Sequence, residues 1–263
     1  MRIRALLMKE FLELARNRAA LIPVIIMMLF SLAMPFFVLV IIPAMTGRSI
    51  ETDRGLELIS RVADPRGALT PENRVVVFLF QQFLILFLLT PIVGSMSLAA
   101  HAVVGEKQTR TLEPLLATPI TTLELLVAKV LGALLPVLGI SYAGVVLYFA
   151  GVLAFEPPAV FASLLSARTF ALTLLVGPAA SLVSLQSAIV ISSRVNDPRT
   201  AQQFGALIVV PMTIVFVGQL TGSLWLSVPL LALIGFVLVV VWVLLVLFSV
   251  ALFERESILT RWR

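Results

Sequence analysis

Long apolar runs, each closed by a small group of charges, are the dominant pattern along this chain. No Asp, Glu, Lys or Arg occurs between Arg18 and Arg48, Arg74 and Glu106, Lys129 and Glu156, Arg168 and Arg194, or Arg199 and Glu254. The first four intervals hold 25 to 31 residues each. A helix needs ~20 apolar residues to cross a hydrocarbon core, so each interval predicts one crossing. The fifth holds 54 residues and is interrupted by Gly218, Gln219, Thr221, Gly222, Ser223 and Ser227 ahead of Pro229, a polar hinge that divides it into two. The expected architecture is an all-α integral membrane protein forming one domain over residues 1–263. Its six spans are expected at about 20–42, 75–99, 126–153, 169–192, 203–219 and 229–252. Each span contains or begins with a proline: Pro23 and Pro35, Pro91, Pro136, Pro178, Pro211 and Pro229. A proline frees a backbone carbonyl, which in lipid must find another partner, so kinked spans suit a bundle with packed interior surfaces.

Composition narrows the picture. The chain is 60% hydrophobic and 13% charged, against ~45–50% and ~25% in soluble domains. The longest charged stretch, Arg48 to Arg74, is too short for a soluble catalytic domain. Cysteine is absent, which removes disulfides, thiolate nucleophiles and Cys-ligated zinc, and His101 is the only histidine. One histidine excludes a His-Glu-x-x-His zinc site, and the spans offer no carboxylates for a proton relay. The first apolar run continues past Ile42, beyond the core of a cleavable signal, and is expected to be retained.

The charges set the orientation. Alternate flanks share a side, so the side with both termini carries thirteen basic and eight acidic residues, and the other six of each. The positive-inside rule then places both termini in the cytoplasm. A sequence pI near 10.4 reflects anchoring beside anionic lipid, not a nucleic-acid partner. In residues 1–18, Ile3, Leu7, Phe11 and Leu14 fall on one helical face, with Arg2, Lys9, Glu13 and Arg16 opposite. Arg4 and Arg18 must snorkel. This describes a helix lying in the membrane interface, although a positive flank that only sets topology has the same composition. The extracytoplasmic loop, 43–74, offers an amphipathic helix over Glu51 to Val62 and a turn at Asp64-Pro65-Arg66-Gly67. The polar groups inside the spans are few. Gln81, Gln82, Ser141, Tyr142 and Gln186, with Ser184 and Ser187, are candidates either for interhelical hydrogen bonds or for lining a pathway.

The loop 105–125 between spans two and three is the most distinctive stretch. Thr111 serves as N-cap of a short helix with Pro114 in its first turn. Leu112, Leu115 and Leu116 form an apolar ridge beside Glu113, Thr118-Pro119 ends it, and Thr121 with Glu124 forms a capping box for the third span. Such a ridge packs on lipid headgroups or docks in the groove of a partner.

The run Gly105-Glu106-Lys107 through Thr111-Leu112-Glu113-Pro114-Leu115-Leu116-Ala117-Thr118-Pro119, with Leu125 and Lys129, resembles the permease subunits of type-two ATP-binding-cassette (ABC) exporters. Ser193 to Arg199 with Ala201-Gln202-Gln203, and Leu252 to Leu259, are similar to that family's pattern, although Arg110 stands where related sequences commonly carry glycine. The resemblance implies a prokaryotic plasma or inner membrane permease, paired with a second copy or paralogue and with separate ABC ATPase subunits that bind the ATP and Mg. It makes 111–118 the coupling helix. Glu106, Thr111, Leu112, Glu113, Leu115, Leu116, Thr118 and Pro119, with Arg194 and Asp197 from the next cytoplasmic loop, would then meet the ATPase. Arg2, Arg4, Lys9, Arg16 and Arg18 would face the lipid interface. No lysine follows a glycine, so the chain lacks a Walker lysine. No catalytic residue, metal or cofactor is expected within it. Neutral polar groups amid Leu, Val and Phe suit a hydrophobic or amphipathic cargo. An ion-driven secondary transporter, or a membrane assembly component without transport, is the alternative.

Overall fold

The computed structural model describes residues 17–47, 54–64, 67–109, 122–194 and 213–252, with single positions at 8, 12, 203 and 210. All the regular structure among them is helical. Five helical stretches are long and apolar enough to cross a membrane: Arg18–Thr46, Pro71–Ala102, Val127–Phe155, Ala167–Ser192 and Val228–Val250. They correspond to the first four expected spans and the last. Of the expected fifth span, 213–220 is helical and most of the remainder lies outside the described residues. The interfacial helix over 1–18 and the coupling helix over 111–118 lie outside them as well, apart from helical positions at 8, 12 and 18.

The second span is the hub, 89% buried along its most apolar stretch, against 17% for the first span and 11% for the last. Thr70 opens it by accepting from the Asn73 amide at 3.3 Å, with Pro71 in the first turn, where its missing N–H leaves no orphan. That cap moves the helix start several residues ahead of the charge-free interval. The helix breaks at Leu88, whose amide falls back to the Ile85 carbonyl at 3.0 Å, three residues before Pro91. Asn17 caps the first span in the same way, its Oδ1 accepting from the Ala20 amide at 3.2 Å.

Two spans contain a π-helical turn, Phe37–Ile41 in the first and Ala171–Val176 in the fourth. Each ends one residue before an X-Pro step, at Ile42-Pro43 and Gly177-Pro178. The proline cannot donate, and the residue before it bonds five positions back: Ile42 N–H to the Phe37 carbonyl and Gly177 N–H to the Leu172 carbonyl. In the fourth span this leaves the Thr173 carbonyl without its usual donor, and the Tyr142 hydroxyl of the third span takes it at 3.4 Å.

The core falls into two parts. One gathers around the fully buried Tyr148, whose ring meets Phe36, Phe80, Phe87 and Phe149 edge-on at centroid distances of 5.7–6.0 Å. Its hydroxyl donates to the Phe80 carbonyl at 2.6 Å. The rings fit because Gly151 leaves room: a methyl there would lie 2.5 Å from Phe36. The other part, toward the opposite ends of the same spans, is built from Ala20, Ala99, Ala133, Ala188, Leu185 and Ile189. There the Ser97 hydroxyl donates to the Ala20 carbonyl at 3.2 Å.

Outside the spans, Arg54–Ser60 is α-helical and runs into a 3-10 turn, Arg61–Ala63, within the expected amphipathic helix, whose residues 51–53 lie outside the described residues. The expected turn closes through Gly67 N–H to the Asp64 carbonyl at 3.2 Å, with Gly67 at φ +66°. Asp64 Oδ2 also accepts from the Leu69 amide at 2.8 Å. This bond is the main reason its carboxyl sits below the usual carboxylate range.

Candidate functional site

The polar groups of the spans separate into three arrangements. The first is a tie at the end of the bundle where the second span begins and the fourth starts. Arg168 lies in the opening turn of the fourth span, which Ser166 caps by accepting from the Thr169 amide. Its Nε–H donates to the Leu226 carbonyl at 3.0 Å, one terminal nitrogen to Gln81 Oε1 and the other to Gln219 Oε1 at 2.7 Å. The guanidinium carbon lies 3.9 Å from the ring centroid of Trp225, which in turn stacks on Phe78. One side chain thus joins the second span, the fourth span and the polar hinge before the last span. Among the described residues no carboxylate pairs with it.

The second arrangement is a shallow recess at the breaks in the second and fourth spans. Leu84, Pro91, Leu138, Ser141, Tyr142 and Pro178 are among the residues lining it, and its surface is almost wholly apolar. Ser141 is buried there and its hydroxyl has no partner, while Tyr142 is engaged with Thr173. The third is a set of interhelical bonds. Gln186 Nε2 donates to Ser249 Oγ at 2.6 Å, joining the fourth span to the last, and Ser184 donates to the Ile92 carbonyl at 2.8 Å. Gln82 belongs to none of these: it is fully buried, and neither atom of its amide has a partner.

The sequence candidates are therefore dispersed. Gln81 belongs to the Arg168 tie, Ser141 and Tyr142 to the recess, and Gln186 to a helix contact, while Gln82 stands apart. Arg18 starts the first span and is exposed; Arg2, Arg4, Lys9 and Arg16 lie outside the described residues. The helix of the second span continues to Thr109 and so carries Glu106, and Arg194 ends the helix of the fourth. Thr111, Leu112, Glu113, Leu115, Leu116, Thr118, Pro119 and Asp197 lie outside the described residues. The sequence pattern missed the Arg168 cluster. Its traces are a single basic residue between spans three and four and a tryptophan and glutamine in the polar hinge, with nothing local to join them.

A helical bundle with several membrane-long apolar spans, a buried central helix and polar groups that mostly tie helices together defines a polytopic membrane protein. Residues 4–228 match the ABC-2 family transporter proteins, and the chain belongs to that family. The family is a membrane transport component that in general works with an ABC ATPase. The match ends where the last span begins. No curated protein and no solved structure matches the chain significantly.

Proposed function

We propose that the chain is the transmembrane permease subunit of an ATP-driven exporter in a prokaryotic plasma or inner membrane, working as a pair of permease subunits with separate ATPase subunits. The observation that carries this reading is the family match over residues 4–228. It is supported by the charge-free intervals of the spans, which contain no Asp or Glu and so offer no carboxylate within the hydrocarbon for an ion couple of their own. Energy then enters through the flanks. Six spans with cytoplasmic termini place the loop 105–125 beneath the membrane, where the Leu112, Leu115 and Leu116 ridge docks into the ATPase and Glu106 and Glu113 pair with its surface. Arg194 and Asp197 form the second contact. The cargo is hydrophobic or amphipathic, in keeping with the recess, whose surface is almost wholly apolar and whose few polar residues, Ser141, Tyr142 and Thr173, are neutral.

The test is co-purification. Leu115→Asp with Leu116→Asp is expected to abolish association with the ATPase and ATP-dependent transport while membrane insertion is retained. Unchanged association and transport would remove the loop from the mechanism.

A further inference from the structure

Arg168 poses a problem of charge that its hydrogen bonds do not solve. The side chain is part-buried, and its three acceptors, two amide oxygens and a backbone carbonyl, are all neutral. Neutral acceptors satisfy N–H groups but leave a desolvated cation without a counterion, which is costly in a low-dielectric surrounding. A guanidinium has five N–H donors. Three are used, so each terminal nitrogen keeps one.

The neighbours deepen the excess of donors. Because an arginine can only donate, Gln219 must turn its Oε1 toward it, and its Nε2 is left beside the guanidinium by covalent geometry. Gln219 is fully buried and that Nε2 has no partner. The cluster thus holds a positive charge, two free guanidinium N–H groups and an unpartnered amide, with Trp225 covering one face. Among the described residues nothing supplies the missing acceptor. The position is at a bundle end: Ala167 and Phe170 on either side of Arg168 are exposed, as are Thr221 to Leu224 of the hinge.

We propose that Arg168, with Gln219 and the Trp225 face, is a binding site for a phosphate-type oxyanion at this end of the bundle. A planar fork held on a flat ring is suited to an oxyanion with two or more acceptor oxygens. The bound group would be the counterion that the described residues do not provide. The site stands on the fold and does not depend on coupling to an ATPase.

Trp225 is a built-in reporter, because a ligand on the guanidinium alters the ring's nearest charge. The experiment uses the full chain in neutral detergent with Trp242→Phe and Trp262→Phe, leaving Trp225 as the only tryptophan. Phosphatidylglycerol and inorganic phosphate are titrated separately, with phosphatidylcholine as the zwitterionic control. A saturable change in Trp225 emission is expected, weakened at least tenfold by Arg168→Gln and less by Arg168→Lys, which keeps the charge and loses the fork. A response to phosphatidylglycerol alone assigns the oxyanion to a lipid headgroup, and a response to inorganic phosphate assigns it to a dissolved anion; both support the site. Silence with all probes, or equal binding by Arg168→Gln, would overturn it. If Arg168 variants do not fold, Gln219→Leu replaces them: it removes the spare amide, and undiminished binding there also overturns the proposal.

Discussion

The two parts of the core solve one packing problem with opposite materials. Around Tyr148, rings from the first three spans meet edge-on. Around Ala20, Ala99, Ala133 and Ala188, alanines sit among aliphatic side chains with no ring in the cluster, and a serine hydroxyl reaches a backbone carbonyl on the neighbouring span. Lipid is as apolar as leucine, so helix association in a membrane rests on close contact and hydrogen bonding and gains little from expelling water. At the aromatic part rings make the contacts between spans, and at the other part alanines and aliphatic side chains make them. Stability at the aromatic part is thus concentrated in a few residues. At the small-residue part it is spread over many.

Three substitutions can break or sharpen that contrast. Tyr148→Ala empties the centre of the ring cluster and removes the bond to the Phe80 carbonyl; a loss of about 3 kcal/mol is expected, read as an earlier unfolding midpoint of the purified chain in detergent. A loss no larger than that of a small-residue substitution would end the idea that stability is concentrated there. Gln82→Leu has the opposite sign. It replaces a fully buried amide with no partner by an apolar group of similar size, so a gain of about 1–2 kcal/mol is expected in the same assay. A stabilised chain that no longer transports would show that Gln82 is kept for function, whereas a destabilised one would mean that the amide has a partner after all. Ser97→Ala removes one interhelical bond from the small-residue part, and a loss of about 0.6 kcal/mol is expected. A loss comparable to that of Tyr148→Ala would erase the contrast.

Much of the fold was legible because one term dominates it. Charge is so costly in hydrocarbon that the charge-free intervals locate the first four long apolar helices to within a few residues, and the polar hinge before Pro229 supplies the start of the last. The discrepancies have local causes. The second span starts at Pro71 because Thr70 and Pro71 supply helix-starting chemistry that counting charges ignores. The fourth span includes Arg168, which the same counting assigns to a flank, because partners 51 to 87 residues away accept its hydrogen bonds. Long-range pairing of that kind leaves no periodic trace. Pro178 announced irregular helix but not its type, since a π turn and a simple kink have the same residue signature, and Pro43 stands just past the expected end of the first span, beyond that reading. Gln81 and Gln186 could be read as polar groups in spans, yet which helix each would meet was settled by tertiary packing.

The π turn in the fourth span is, in register, a one-residue insertion. Successive helical residues advance by about 100°, so every side chain beyond Val176 points to a different compass bearing from the one an unbroken α-helix would assign. Ser184 and Gln186 meet Ile92 and Ser249 on that shifted bearing. A helical wheel drawn straight through Ala171–Val176 would mix two faces that never coincide. Hydropathy is blind to this offset, so two spans of equal length and apolarity can differ in phase, and the fourth span carries its phase as information apart from its composition.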